Sequence, residues 1–576
     1  MYVSLCRGLP ESSFRKPTKP QARQHQYNLA TAGPPRRKIS NFVRPQFNGP
    51  MELETLMEEG AVPGSDGENN LTPASNTKNG NRFTMANGEK TQTTVTSTSN
   101  VQPFSESTRG SAVNLFIASY AANFGAIAAG CALTWSSPIL EKFKNGSDSS
   151  ISLKITQEEA TWIGSLVTLG AAVGPILSGF LLDRLGRKNT VLFSMILSIV
   201  SWTMISFIPN LYVLYVARVL SGISVGLIFT AVPTYIAEIA KPDLRSSLGT
   251  VMQFFLCVGF LLEYIVGPYT SYLTLALVSL ATPILCFATF MWMPESPYAL
   301  LGKSKEDQAL KSLRWLRGNP LETFVVKELN EIKKSVEESK NKNSGFSELF
   351  ANKGSIKAVI ISLSMVAFQQ LCGINVILLY SESIFKAASA TISSSMCTII
   401  IGSVMLGAAS ITPSLAKFSS IKMLLYISAI GMFCSEATLG FYFLAVKSKM
   451  NVSHFQWLPI TSLVIFIITY CLGFGPLPWA IMGEMFPSNL KSVATSLTAS
   501  FCWLLGFVLT YNFPGMRDLL GMDFVFFLFA FFCIMALIFS LFILPDTEGK
   551  TLQEIQDILN GRTSTPVNSN CTDKAI

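Results

Sequence analysis

The chain has 576 residues, of which 49% are hydrophobic and only 14% are charged, and its formal net charge at pH 7 is +8. Its mean hydropathy of +0.40 indicates lipid as the main solvent. Two histidines and eleven scattered cysteines show no metal-ligand spacing. The lysines and arginines cluster in separate loops instead of one basic stripe. We therefore expect no metal, no cofactor, no nucleic-acid partner and no enzymatic activity.

The first 110 residues are rich in Ser, Thr, Asn, Gln, Pro and Gly, without the apolar periodicity that a buried core needs. We predict a disordered cytoplasmic N-terminal tail over residues 1–110. No compact signal peptide follows Met1, so the first apolar run is expected to act as an uncleaved signal and first membrane helix.

Twelve apolar runs follow, each close to the roughly 20 residues that cross a bilayer as a helix. They predict an all-α membrane protein with twelve transmembrane helices. One long charged loop lies between the sixth and seventh runs, and its stretch KELNEIKKSVEESK has the charge spacing of a solvated helix. The runs cover 112–133, 160–182, 190–208, 211–233, 248–268, 272–293, 355–378, 395–415, 423–445, 458–482, 492–513 and 524–544.

The long loop divides the membrane part into two six-helix halves. We predict an N-terminal six-helix bundle over 111–297, a cytoplasmic loop with surface helices over 298–353, and a C-terminal six-helix bundle over 354–545. A cytoplasmic C-terminal tail, 546–576, completes the chain.

Basic residues in the short loops predict the orientation, because they accumulate on the cytoplasmic side. Arg184, Arg187 and Lys188 follow the second run, and Lys241 and Arg245 follow the fourth. Even-numbered helices should therefore end in the cytoplasm, where both termini also lie.

Two glycosylation sequons agree with this orientation. Asn145-Gly-Ser and Asn451-Val-Ser fall in the loops after the first and ninth runs, which face outward or into a lumen. We predict glycosylation at Asn145 and Asn451 and a monomeric, multi-pass protein of the plasma membrane, with an internal vesicle membrane as the alternative.

The loop after the second run, Asp183-Arg-Leu-Gly-Arg-Lys188, holds four charges at the membrane edge. Such a cluster is costly unless it has partners, and Glu238 and Arg245 at the end of the fourth run fit that role. The simpler alternative is positive-inside anchoring.

These residues resemble the sugar porters of the major facilitator superfamily, a group that includes the facilitative glucose transporters. The resemblance covers nearly all of residues 112–552. Besides DRLGRK, it rests on Arg218 with Gly222 and Gly226, PTYIAEI from Pro233, PESPY from Pro294, QQLCGIN from Gln369, GFGPLPW from Gly473, Glu484 with Phe486 and Pro487, and PDTEGKTL from Pro545.

The resemblance implies two pseudo-symmetric six-helix bundles that rock about one midplane site. It also implies a cytoplasmic latch, assembled in the outward-open state. The turn after the eighth run, Lys417–Lys422, departs from the family's second acidic-Arg-x-Gly-Arg cluster, so one latch looks weakened. The implied latch residues are Asp183, Arg184, Arg187, Lys188, Arg218, Glu238, Arg245, Glu484 and Lys491.

Polar side chains at membrane depth predict the substrate path. Gln253, Gln369, Gln370 and Asn375 carry amides, which donate and accept hydrogen bonds as sugar hydroxyls require. Five positions separate Gln370 from Asn375, about 140° on a regular helix. Both can face one cavity only if the helix unwinds between them, at Gly373.

Aromatic residues complete the predicted site. Pro476 and Pro478 interrupt the tenth run just before Trp479, and Trp503 lies in the eleventh. Either indole could stack on a sugar ring, although core packing or interfacial anchoring is the simpler explanation from the residue type alone. By the family resemblance Tyr380 is an outer gate residue.

Two glycines limit how far the substrate can be named. Gly407 and Gly506 stand where glucose-transporting relatives present asparagines, which predicts a larger cavity with fewer sugar contacts. A disaccharide would then fit, and the nearest likeness within the family is to insect trehalose-transporter-like members. The same change is also compatible with weak or altered sugar binding.

Proton-coupled relatives place an aspartate shortly after a Phe-Gly pair in the first helix. Here Phe124-Gly125 is followed by Ala126 and Ile127, and the one membrane acid noted is Glu263. We therefore predict a facilitative uniporter for a hexose or a disaccharide such as trehalose. A weakly transporting sugar sensor and a proton-coupled symporter remain the alternatives.

Overall fold

The computed structural model describes residues 111–145, 155–208, 210–319, 321–340, 346–388, 392–415, 419–486, 488–547, 550 and 552–560. The predicted N-terminal tail lies outside the described residues. Within them, twelve helical stretches are long and apolar enough to cross a membrane. The predicted number of transmembrane helices and the all-α class are confirmed.

The first six spans contain seven helices, because the first span bends at Trp135 into a second short helix. Capping side chains begin several of them: Thr156 and Glu159 form a reciprocal capping box on α3, and Asn210 caps α5. The helices are α1 (Val113–Thr134), α2 (Ser136–Asn145), α3 (Gln157–Arg184), α4 (Arg187–Phe207), α5 (Leu211–Ile239), α6 (Pro242–Tyr269) and α7 (Tyr272–Phe290).

The loop between the halves folds into three helices, α8 (Pro297–Gly302), α9 (Glu306–Leu316) and α10 (Glu322–Lys340), with a small apolar core of their own. The predicted surface helix is part of α10. Arg317 pairs with Glu328 at 2.6 Å and donates to the carbonyl of Ile239, which attaches this loop to the end of α5.

The second half repeats the six-span pattern, with its first and fourth spans each split in two. A short 3₁₀ helix, Phe346–Phe350, precedes it and another, Ser453–Phe455, lies inside it. The helices are α11 (Lys353–Leu371), α12 (Ile374–Ala387), α13 (Ser394–Leu415), α14 (Ile421–Lys447), α15 (Leu458–Leu472), α16 (Leu477–Met485), α17 (Ser488–Leu520), α18 (Met522–Phe542) and α19 (Leu552–Asn560).

Two helix pairs form most of the interface between the halves. The second span, α3, packs against the eleventh, α17, and the fifth span, α6, packs against the eighth, α13. Replacing each helix by its counterpart six spans away converts one pair into the other, as twofold pseudo-symmetry requires. The fold is therefore two pseudo-symmetric six-helix bundles.

Small residues allow close packing inside each half. A Cβ atom on Gly226 of α5 would lie 2.5 Å from the carbonyl oxygen of Ala171 on α3. Large apolar side chains such as Ile176, Phe441 and Phe542 instead point outward and are more than half exposed, as side chains that face lipid do.

The alternating spans give the molecule two ends. We call the end that carries residues 183–188, 241–245 and 293–340 the charged end. The end that carries residues 134–145, 208–212, 380–388 and 447–458 is called the opposite end.

Candidate functional site

The seventh span is broken at the position that the sequence predicts. α11 ends at Leu371 and α12 begins at Ile374, with Gly373 between them in the left-handed conformation at φ +81°. A Cβ atom there would also come within 2.6 Å of the Phe529 ring. Both the left-handed backbone and the lack of space therefore require glycine at this position. The break brings Gln370 and Asn375 to the same side, and their amides bond at 2.5 Å.

The tenth span is broken as well, between α15 and α16. Because Pro478 has no N–H, the carbonyl of Phe474 lacks its donor four residues ahead. The side-chain nitrogen of Gln369 takes that place and donates to Phe474 and Gly475, at 2.7 Å each. An amide from the first broken span therefore satisfies the backbone of the second.

Cys502 on α17 joins these amides into one chain of hydrogen bonds. Its sulfur accepts from the Gln370 nitrogen at 3.0 Å and donates to the Gln369 oxygen at 3.7 Å. Sequence analysis missed Cys502, because nothing in its local sequence distinguishes it from the other buried cysteines.

The other predicted site residues, Trp503, Trp479 and Gln253, are not part of this chain of hydrogen bonds. Trp503 is buried, its ring meets Phe229 of α5 edge-on at 5.2 Å, and its indole N–H has no partner among the described residues. Trp479 is half-buried beside the break in the tenth span. Gln253 donates to Cys257 at 3.6 Å. In the described part of the chain, no hydrogen bond or ring contact joins Trp479 or Gln253 to the amide chain.

The two glycines that replace asparagines differ from one another. Nothing lies within 4 Å of a Cβ atom built on Gly407, as expected for added space. At Gly506 the same atom would lie 3.0 Å from the Asn375 nitrogen and 3.1 Å from the Gln370 oxygen. The prediction that Gly506 enlarges the cavity is therefore wrong for this conformation, because the two amides fill that space.

Tyr380, predicted as a gate, lies where the halves meet at the opposite end. Its hydroxyl donates to the Thr510 carbonyl at 3.1 Å and lies 3.2 Å from a Cβ atom built on Gly164 of α3. Trp162 of the first half packs against Tyr511 of the second, with ring centroids 4.7 Å apart. The structure thus shows the opposite end closed.

An ion pair that the sequence did not reveal reinforces this closure. Glu141 at the end of the first span pairs with Lys386 of α12 at 3.0 Å and accepts from Ser383 at 2.6 Å. Glu141 and Lys386 are 245 residues apart, so no local pattern could link them.

At the charged end, one of the predicted contacts between the loop after the second span and the end of the fourth span is present. Two guanidinium nitrogens of Arg187 donate to the same Glu238 oxygen, at 2.9 and 2.7 Å. Glu295 of the PESPY motif was not predicted, yet it accepts from the backbone N–H groups of Arg187 and Lys188 and so caps α4. The PESPY motif was the sequence signal from which a role for Glu295 could have been inferred.

The other latch residues are not joined across the halves. Arg184 lies over the Phe180 ring at 4.2 Å. Among the residues that the structure describes, no ion pair connects the two halves at the charged end. Within the described part of the chain, the predicted latch residues without an ion-pair partner within 4.0 Å are Asp183, Arg184, Lys188, Arg245, Glu484 and Lys491.

Arg218 does not belong to the cytoplasmic latch, and that assignment is wrong. It lies two turns from the start of α5, at the opposite end, and is fully buried. Its guanidinium donates to the carbonyls of Ile163 and Ala132 at 2.9 and 2.8 Å. It therefore ties α5 to α3 and α1.

Two carboxyl groups are fully buried inside the halves. Glu263 on α6 accepts from Ser279 at 2.5 Å. Glu436 on α14, which sequence analysis overlooked, lies 4.0 Å from the Cys533 sulfur. Among the residues that the structure describes, each has one oxygen without a hydrogen-bond partner, and neither contacts the amide chain.

The remaining predicted features are partly outside the description. Asn145 ends α2, but its side chain and the two residues that complete its sequon lie outside the described residues, as do Lys417 and Phe418 of the Lys417–Lys422 turn. Asn451 is exposed at the opposite end, where its side-chain oxygen accepts from Ser453 at 2.6 Å.

Comparisons with known proteins agree with this architecture. A family model described as "Sugar (and other) transporter" matches residues 100–559. The facilitated trehalose transporter Tret1 of Bombyx mori is 35% identical over 441 residues, 76% of this chain and 86% of that protein. Tret1 of Polypedilum vanderplanki is 34% identical over 449 residues, 77% of this chain and 88% of that protein.

Solved structures share the fold at lower identity. The proton:xylose symporter XylE bound to 6-bromo-6-deoxy-D-glucose has a TM-score of 0.64 at 21% identity, over 78% of this chain and 99% of XylE. The inward-open xylose transporter XylE from E. coli has a TM-score of 0.64 at 22% identity, over 77% of this chain and 99% of XylE. The chain therefore belongs to the sugar porter family of the major facilitator superfamily and is a multi-pass sugar transporter.

Proposed function

We propose that this protein is a facilitative uniporter that carries a hexose or a disaccharide such as trehalose by alternating access. The observation that carries the proposal is the group of buried amides, Gln369, Gln370 and Asn375, at the two helix breaks. Amides are costly at membrane depth, and sugar hydroxyls match their ability to donate and accept. The broken helices beside them are the type of element that forms transporter sites.

The proposed site extends from the amides to the nearby aromatic rings. The unpartnered indole N–H of Trp503 is suited to a sugar hydroxyl, because burying it without a hydrogen bond costs free energy. We propose Gln253, Gln369, Gln370, Asn375, Trp479 and Trp503 as the residues that contact sugar, with Tyr380 as a gate at the opposite end.

Uniport is favoured over proton symport by the positions of the acids. A coupling group has to exchange protons with the transport path. Glu263 and Glu436 are each fully buried within one half and contact none of the site amides. The segment after Phe124-Gly125 supplies Ala126 and Ile127 instead of an acid.

A disaccharide is favoured by two observations. The space around Gly407 is open, so a bulkier sugar meets no side chain there. The similar proteins from Bombyx mori and Polypedilum vanderplanki are named facilitated trehalose transporters.

The second candidate function is a sugar sensor that binds but barely transports. The bond between Gln370 and Asn375 favours it, because these amides already satisfy each other in this conformation. The departure of the Lys417–Lys422 turn from the family pattern also favours it, since a weak latch would disturb switching.

Orientation and location belong to the same proposal. The basic loops favour a cytoplasmic position for the charged end and both termini. Asn451 then lies on the outer side, where glycosylation occurs, together with Asn145. We propose the plasma membrane as the site of action, and the charged-end residues as a latch that assembles when the opposite end opens.

Uptake by purified protein in proteoliposomes tests the proposal. Labelled glucose and labelled trehalose are supplied in parallel, with and without an imposed proton gradient. Uptake that reaches equilibrium and ignores the gradient is expected. Accumulation driven by the gradient would contradict uniport, and binding without uptake would favour the sensor.

A further inference from the structure

The hydrogen bonds around Cys502 have a direction, and the direction is set by the backbone. The carbonyls of Phe474 and Gly475 can only accept, so the Gln369 amide has to turn its nitrogen toward them. The Gln369 oxygen therefore faces Cys502. An oxygen acceptor at that position requires the thiol to donate its proton.

The direction continues to the other two amides. With its proton directed at Gln369, the Cys502 sulfur is left as an acceptor for the nitrogen of Gln370. The Gln370 oxygen then faces Asn375, which has to donate its nitrogen. Reversing any one amide in this chain would place two donors or two acceptors against each other.

The result is a site in which the Gln370 oxygen is fixed as an acceptor. That oxygen keeps a second lone pair, and the Asn375 nitrogen keeps a second N–H. Both atoms lie beside Gly506, 3.1 and 3.0 Å from a Cβ atom built there. A sugar hydroxyl that meets the Gln370 oxygen has to donate its proton.

We propose that Cys502 is a positioning residue that fixes the donor–acceptor direction of the sugar site, so that the site selects hydroxyl groups able to donate. The inference rests on the proposed sugar site at Gln370 and Asn375. Cys502 contacts both glutamines, and Gln369 in turn bonds to the break in the tenth span. Without the thiol, the Gln370 and Asn375 amides are free to turn over together.

Three variants of the full-length protein separate this role from simple packing. Cys502→Ala removes the relay between the glutamines, whereas Cys502→Ser retains a group that donates and accepts in the same direction. Cys434→Ala removes the one exposed cysteine among those described and serves as the matched control. Thermal unfolding in detergent checks that each variant is folded.

The readout is discrimination between a hydroxyl and fluorine. The probe is glucose or trehalose, whichever binds wild type, with its monodeoxyfluoro analogues, since a C–F group cannot donate. In wild type, at least one analogue should bind about tenfold more weakly than the parent sugar, the effect of one lost hydrogen bond. Cys502→Ala should reduce that ratio to about twofold, because a turned amide can donate to fluorine.

Cys502→Ser and Cys434→Ala should keep the wild-type ratio. A Cys502→Ala protein that is folded and discriminates as wild type does would overturn the role of the thiol. Loss of the ratio in Cys502→Ser would overturn it as well. Gln370→Ala separates a failure of the proposed sugar site from a failure of the role of Cys502. If Gln370→Ala binds the parent sugar normally, the proposed sugar site itself is wrong, whatever the Cys502 variants show.

Discussion

Both halves of this protein bury polar side chains at membrane depth, but the two groups are built differently. In the N-terminal half, Arg218 donates to backbone carbonyls of two neighbouring helices within the same bundle. In the C-terminal half, Gln369, Gln370 and Asn375 come from one broken span and bond to one another and to a second broken span. Arg218 acts only as a donor to fixed carbonyls, whereas the amide chain keeps an acceptor position on the Gln370 oxygen.

This difference teaches which buried polar groups serve the fold and which can bind a ligand. Burial costs the same kind of free energy in both places, so polarity at depth does not separate them by itself. What separates them is whether the partners are fixed carbonyls of continuous helices or side chains at helix breaks. Substitutions in the two groups should therefore affect different measurements.

The largest effect is expected on stability from Arg218→Ala. This change removes charged hydrogen bonds to the carbonyls of Ile163 and Ala132 and leaves a cavity where a fully buried guanidinium was, which should cost about 3 kcal/mol or more. Thermal unfolding in detergent measures the loss. Arg184→Ala, at an exposed arginine, is the control, and an equal change in both variants would contradict a structural role for Arg218.

Gln370→Ala should leave stability nearly unchanged but reduce sugar uptake about tenfold or more. The variant loses the amide that bonds to Cys502 and Asn375, and with it a proposed contact to sugar. Initial uptake rates in proteoliposomes measure the effect. Asn512→Ala removes an exposed amide from α17 and should transport normally. Wild-type uptake by Gln370→Ala would contradict the site.

A smaller effect is expected from Lys386→Met at the opposite end. Glu141 keeps its bond to Ser383, so the closed arrangement should lose about 1 kcal/mol, roughly a fivefold change in its population. Labelling of a single cysteine introduced near Trp162 reports how often this end opens. The charge-reversed pair Glu141→Lys with Lys386→Glu should restore closure, and equal labelling in all three proteins would contradict the ion pair's role.

The smallest effect is expected from Glu436→Gln. Glu436 is fully buried with no cation beside it among the described residues, and glutamine has the same shape as its side chain. Uptake should stay within about twofold of wild type and keep the same pH dependence. Glu263→Gln provides the matched comparison in the other half. A changed response to a proton gradient in either variant would favour the symport alternative.

The sequence alone determined much of the molecule because local patterns carry the information. Twelve apolar runs of bilayer length fixed the number of spans. Glycine at 373 and prolines at 476 and 478 marked both helix breaks, since these residues permit or impose non-helical backbone. The charge spacing in the long loop identified α10 as a surface helix.

Tertiary structure decided which side chains are partners. Arg218 was grouped with the charged loop by motif, although its distance from the start of α5 places it at the opposite end. The Glu141–Lys386 pair and the thiol of Cys502 depend on residues more than 100 positions apart. Whether a buried polar group is saturated or keeps free acceptors is set by how helices cross, and helix crossing depends on packing over the whole chain.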